Sequence, residues 1–138
     1  MTPSTQTATA TIATTGRVLL AAIFLISGVS KLADPAGTIG YIASSGLPFP
    51  ELAYAGAVFV EVILALALLV GFQTRASAAL IALFTLVTAF AFHFNLGDQN
   101  QFIHFFKNIA MAGGLLQVVA FGGGALSLDG RRAARRNA

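Results

Sequence analysis

Four stretches of this chain are apolar for about twenty residues at a time, and that length limits what they can become. They cover residues 16–32, 51–71, 76–95 and 99–123. A helix rising ~1.5 Å per residue crosses a hydrocarbon core of ~30 Å in about 20 residues. None of the four alternates strictly between apolar and polar residues, so they are not barrel strands. In lipid the backbone polar groups must be satisfied within the segment, which leaves helices. Only 9% of the residues are charged and 57% are hydrophobic; a soluble domain carries about 25% charged residues. The expected fold is an all-α integral membrane protein, a four-transmembrane-helix bundle. At 138 residues it forms one domain.

The joints between the spans carry their own signals. Between the first and second lies ADPAGTIGYIASSGLPFP. Asp34 followed by Pro35 is a helix start, with the carboxylate as cap and proline at the first position. Gly46 suits a helix end, and Pro48 and Pro50 forbid continuation. A short interfacial helix near residues 35–45 is expected, with Ile39 and Ile42 buried, although Gly37 and Gly40 count against it. FQTR makes a tight turn between the second and third spans, and Asp98 caps the fourth. The N-terminal MTPSTQTATATIATT lacks the basic region and cleavage site of a secretory signal. Residues 1–15 therefore read as a flexible polar tail before a retained first helix, and residues 127–138 as a basic cytoplasmic tail, flanking a bundle over 16–126.

Orientation follows from lysine and arginine. With four spans, both termini and the 71–76 turn share a side. That side holds Arg17, Arg75, Arg131, Arg132, Arg135 and Arg136, whereas the other holds Lys31 and Lys107. Both termini are expected in the cytoplasm of a bacterium, with the short interfacial helix on the periplasmic side of the inner membrane. The RRAARRN tail is a topology anchor that touches anionic lipid, and the patch is too short for a nucleic-acid role.

The second span raises the functional question, because AVFVEVILALALLVG places Glu61 in the middle of an apolar run. A carboxylate at mid-bilayer costs about 2.5–3.5 kcal/mol on insertion scales, so it should face the bundle interior and find a partner. Lys107 lies at a similar depth, roughly 13 Å into the fourth helix against roughly 15 Å for Glu61. Lys31, His93, His104 and Asn108 fall in the same half of the bilayer. Small residues accompany each group: Ala53, Ala57 and Ala65 share the face of Glu61, and Ser27 and Gly28 that of Lys31. Glu61 is expected to balance Lys107, and Lys31 as a second partner, with His93 nearby. The candidate catalytic residues are Glu61, His93 and Lys107. The candidate ligand-binding residues are Lys31, Ser27, Asn108 and His104, and no metal site is expected. Phenylalanines crowd the outer ends of the third and fourth spans, most facing lipid and some available to wall an apolar slot. A structural ion pair and a ligand or proton site both remain open as readings of the cluster.

At these residues the chain resembles the DoxX family of small four-helix membrane proteins. The matching elements are RVLLAAIFLISGVSKLADPAGT, GLPFP, Glu61, the turn GFQTR, Phe92–His93, FKNIAMAGG and the closing SLD, over about residues 16–129. By resemblance, Lys31, Glu61, His93, Lys107 and Asn108 fall on the family's motif positions. The resemblance implies a bacterial inner-membrane protein; related DoxD-type proteins are subunits of a thiosulfate:quinone oxidoreductase. It thus implies a quinone ligand and a partner redox enzyme subunit. The chain has no cysteine, so thiol chemistry and iron–sulfur ligation lie outside its own repertoire. Three functions stay open: a quinone-interacting subunit of an oxidoreductase, a membrane adaptor or assembly factor, and a solute or proton pathway. The last ranks lowest, because the cytoplasmic half offers only Gln117 with Thr85, Thr88 and a few other hydroxyls. The small-residue stripe also leaves a homodimer open.

Overall fold

The computed structural model describes residues 2–136 and consists of helices and short turns. Helix α1 runs Pro3–Ala33 and α2 Pro35–Ser44. The second span is continuous over Pro50–Val70. It comprises α3 (Pro50–Val58), a π-helical turn (Phe59–Leu64) and α4 (Ala65–Val70). Helices α5 (Thr74–Phe92) and α6 (Gln99–Phe121) are the third and fourth spans, and α7 is Leu128–Arg136. Four helices are thus long and apolar enough to cross a membrane. The bundle has two ends, the α2 end and the opposite, terminal end.

The helix starts form where the side chains predict. Asp34 accepts from Gly37 N–H at 2.9 Å and Asp98 from Gln101 N–H at 2.9 Å, each capping its helix. On α2, Ile42 is buried and Ile39 half-buried. One expectation needs correction. Residues expected to form a flexible tail are helical from Pro3, so α1 reaches 31 residues, roughly 46 Å at ~1.5 Å per residue. Thr2 caps it, and Thr9 and Thr11 donate to carbonyls one turn back, which absorbs hydroxyls that would otherwise compete for the backbone. The basic C-terminal segment is likewise ordered as α7; Met1, Asn137 and Ala138 lie outside the described residues.

The interior is built from small and branched apolar side chains, with Ala21, Ala65, Leu68, Ala78, Ile81 and Leu115 at its centre. Large apolar residues such as Leu19, Ile26, Leu83 and Phe121 are exposed. This is the pattern of helices solvated by lipid, where close van der Waals packing drives association and not the removal of oil from water. Gly28 is a point of close approach of α1 to the second span. A Cβ there would lie 2.7 Å from Val62 Cγ2 and 3.1 Å from the carbonyl carbon of Glu61. The π turn was not anticipated: Ala65 N–H bonds back to Val60 O across the turn that holds Glu61. Such turns are rare inside helices and frequent at functional sites.

The terminal end is closed by the segment after α6. Helix α5 starts at Gln73 with φ 45° and no cap of its own. Asp129 supplies one from α7: it accepts from Gln73 N–H at 3.0 Å, Thr74 N–H at 2.7 Å and the Thr74 hydroxyl at 2.6 Å. Its own N–H donates to Gly71 O at 2.9 Å. Ser127 is buried against Gly71, whose φ of +72° and lack of a side chain both suit the spot; a Cβ would stand 2.3 Å from that of Ser127. Arg17, counted in the sequence as a topology charge, is instead buried, and it donates to Gly123 O. Arg132 lies over the Phe72 ring at 5.0 Å.

Burial raises the Asp129 pKa, but the hydrogen bonds from Thr74 and Gln73 and the charge of Arg132 outweigh it, and the carboxyl sits below its ordinary value. A depressed folded pKa stabilises above the unfolded value of about 3.9, and that contribution fades as pH falls through the folded one. Asp129→Ala should therefore destabilise the protein by about 0.5–2 kcal/mol at pH 7, as loss of a helix cap does. Thermal unfolding in detergent checks this, and the gap from wild type should narrow on acidification below about pH 4.

Candidate functional site

The carboxylate that the second span buries finds its partner on α1. Lys31 Nζ lies 2.7 Å from Glu61 Oε2 and donates to Oε1 at 3.0 Å. Ser27, one turn before Lys31, joins both: it accepts from Lys31 Nζ at 2.8 Å and donates to Glu61 Oε1 at 3.2 Å. Tyr54, a residue the sequence reading passed over, donates to the Lys31 carbonyl at 3.3 Å. The Glu61 side chain is 7% exposed and that of Lys31 25%. The Gly28 approach explains the geometry, because backbones this close bring two side chains of unequal length to one point.

Lys107 is not the partner of Glu61, which corrects the expected pairing. Among the described residues Lys31–Glu61 is the only ion pair. Lys107 Nζ instead lies 2.9 Å from His104 Nδ1, one turn away on α6, and is exposed. Equal depth had suggested the pairing, but depth carries no information about rotation around the bundle axis. His93 ends α5, with its N–H donating to Ala89 O at 3.0 Å. Its Nδ1 lies 2.8 Å from Gln101 Oε1, and its ring stacks on His104 with centroids 5.1 Å apart. Asn108 is 8% exposed, and its carboxamide makes no hydrogen bond among the described residues. Gln101 escaped the sequence reading because a polar residue in a helix's first turn reads as ordinary capping.

These groups share one cavity of about 640 Å³, within the ~300–1,000 Å³ of small-molecule sites. Ser27, Lys31, Glu61, His93, His104, Lys107 and Asn108 all line it, so the residues singled out in the sequence are brought together around one space. Its walls are mostly apolar, with Phe24, Val60, Phe84, Phe92 and Met111. Helix α2 covers one side with Thr38, Tyr41 and Ile42, and Tyr41 stacks on Phe92 at 5.6 Å. Thr85 and Thr88, expected in the other half of the bilayer, line this cavity too. Their hydroxyls are spent on the carbonyls of Ile81 and Thr85. Gln117 is exposed and does not line the cavity. Among the described residues no His, Asp and Glu cluster suits a metal ion.

The bundle and its cavity define a multi-pass membrane protein with an ion pair on one wall and histidine, lysine and asparagine side chains on the other. Residues 12–94 match the DoxX family, and the chain belongs to that family. It is similar to the inner membrane protein YphA of Escherichia coli K12, 40% identical over 120 residues, covering 83% of this chain and 86% of that protein. It is also similar to the inner membrane protein YqjF of the same organism, 37% identical over 113 residues, covering 82% and 85%. No solved structure matches the chain. By these relationships it is a multi-pass inner-membrane protein.

Removing one partner of a buried ion pair costs about 3–5 kcal/mol, whereas replacing both with apolar groups is often neutral. Lys31→Met and Glu61→Leu should each lower the melting temperature in detergent sharply, and the double variant should recover most of the loss. Lys107→Met should leave stability within about 0.5 kcal/mol of wild type and show no coupling to Glu61 in a double-mutant cycle.

Proposed function

We propose that this protein is a quinone-interacting membrane subunit or accessory of an oxidoreductase system, with the quinone head in the cavity. The observation that supports this most is the unspent polarity of one apolar-walled space. Asn108 is buried with its carboxamide unpaired, and Lys107 keeps ammonium protons that His104 does not use. Both groups face the cavity, so a ligand oxygen that meets these donors gains hydrogen bonds the protein alone leaves unmade. Phe24, Phe84, Phe92 and Met111 suit an isoprenoid tail. The residues therefore fit such a group.

A bound quinone supplies two-electron, two-proton redox chemistry, with electrons delivered by a partner redox protein. Lys107 and Asn108 would donate to a carbonyl oxygen of the head. Lys31 and Ser27 hold Glu61 as the carboxylate that exchanges a proton with the cavity. The arginine distribution supports both termini in the cytoplasm, which puts the cavity in the periplasmic half of the bilayer. A second reading, a membrane adaptor with structural buried charges, draws support from the way Ser27 and Lys31 already satisfy Glu61.

Solvent extracts of protein purified in mild detergent should contain near-stoichiometric quinone by mass spectrometry. Asn108→Leu should lose most of it while keeping the wild-type melting temperature within a few degrees. Extracts empty of quinone in the wild type, with its native partners present, would move the assignment to the adaptor.

A further inference from the structure

The two stacked histidines differ in what they offer the cavity. Each has Nδ1 engaged by a residue of α6, but the two partners are of opposite kind. His93 Nδ1 faces the carbonyl oxygen of Gln101 at 2.8 Å. That oxygen has no proton to give, so Nδ1 of His93 carries one, and in the neutral ring Nε2 keeps a lone pair. His104 Nδ1 faces the Lys107 ammonium at 2.9 Å. An ammonium only donates, so Nδ1 of His104 accepts, and the proton of the neutral ring sits on Nε2. Both rings line the cavity, with centroids 5.1 Å apart. Among the described residues neither Nε2 has a hydrogen-bond partner.

We infer that this pair of opposite tautomers selects a ligand whose oxygen occurs both as a carbonyl and as a hydroxyl, with Gln101 and Lys107 as the positioning residues. His104 Nε2–H donates to the carbonyl form, and His93 Nε2 accepts from the hydroxyl form. Two donors would favour the carbonyl form and two acceptors the hydroxyl form, because a mismatched partner leaves a polar group unpaired. One of each, at the head's oxygen that Lys107 and Asn108 do not engage, holds both. The inference rests on the quinone reading above and adds that the oxidised and reduced forms are both retained. The selection needs Gln101, because without its carbonyl oxygen nothing fixes which nitrogen of His93 is protonated.

The test uses the full chain, labelled with ¹⁵N-histidine, in detergent micelles without added ligand. Nitrogen shifts distinguish the two tautomers, and the chain has only 2 histidines. One ring is expected protonated at Nδ1 and the other at Nε2. Gln101→Leu should abolish the Nδ1–H signature of His93 and leave His104 unchanged, and Gln101→Glu should restore it. Titration with a short-chain ubiquinone and its quinol should give comparable affinities for wild type. Gln101→Leu should weaken the quinol by about tenfold and the quinone by less than about twofold. Identical tautomers in the wild type, or a Gln101→Leu spectrum like wild type, would overturn the inference even if quinone binds. Sorted tautomers with neither form binding would instead remove the quinone reading, and the ligand assignment with it.

Discussion

The architecture turns on a carboxylate placed where the bilayer does not tolerate it alone. Glu61 sits in the interior of the second span, and an unpaired charge there costs several kcal/mol. Lys31 and Ser27 resolve that cost from α1, and Gly28 lets the two backbones come close enough for them to do so. The pair fixes the rotation of α1 against the second span and makes one wall of the cavity. The opposite wall, from α5 and α6, has nothing comparable to neutralise it. Its lysine meets a histidine and its asparagine meets no protein group. One wall of the cavity thus carries an ion pair and the other does not.

The terminal end is held by a different device. There the polar groups belong to helix ends and not to the hydrocarbon interior. Asp129 caps α5 in place of a residue on α5 itself, and Ser127 accepts from Gly130 N–H at the start of α7. Two neighbouring residues thus serve two helices, tying the C-terminal segment to the turn between the second and third spans. Arg17 reaches the same region from α1. The bundle is polar and cross-linked at both ends, with an apolar middle of Ala65, Leu68, Ile81 and Leu115. The cavity lies toward the α2 end and stops short of the terminal one, an arrangement suited to binding from one side or from within the membrane.

Features that depend on one residue and its near neighbours were readable in advance. Asp34 and Asp98 cap the helices that follow them, because a cap is a contact across three residues. The gathering of Glu61, His93 and Lys107 about one space was legible from depth and from small neighbours. The choice of Lys31 over Lys107 was not, since both lie within reach along the bilayer normal and only the angular positions of the helices separate them. The helical state of residues 3–15 was missed because threonine weighs against helix in isolation, whereas here the segment extends an existing helix and needs no new nucleus. Arg17 was read by the positive-inside pattern, which says which side a charge occupies and nothing about its burial.

Sequence alone determined that this chain is a four-helix membrane protein with a charged group inside the second span. Span length, low charge and the need of backbone groups for internal partners in lipid leave no other solution. Tertiary structure decided which groups are spent on one another and which remain open to a ligand. It set Lys31 on Glu61, Gln101 on His93, Lys107 on His104 and Asp129 on Thr74. The reason is geometric: these pairings, apart from the one-turn contact of Lys107, join different helices or segments. Their distances follow from rotations and crossings that helical periodicity constrains only loosely, until close-packed small residues choose among them.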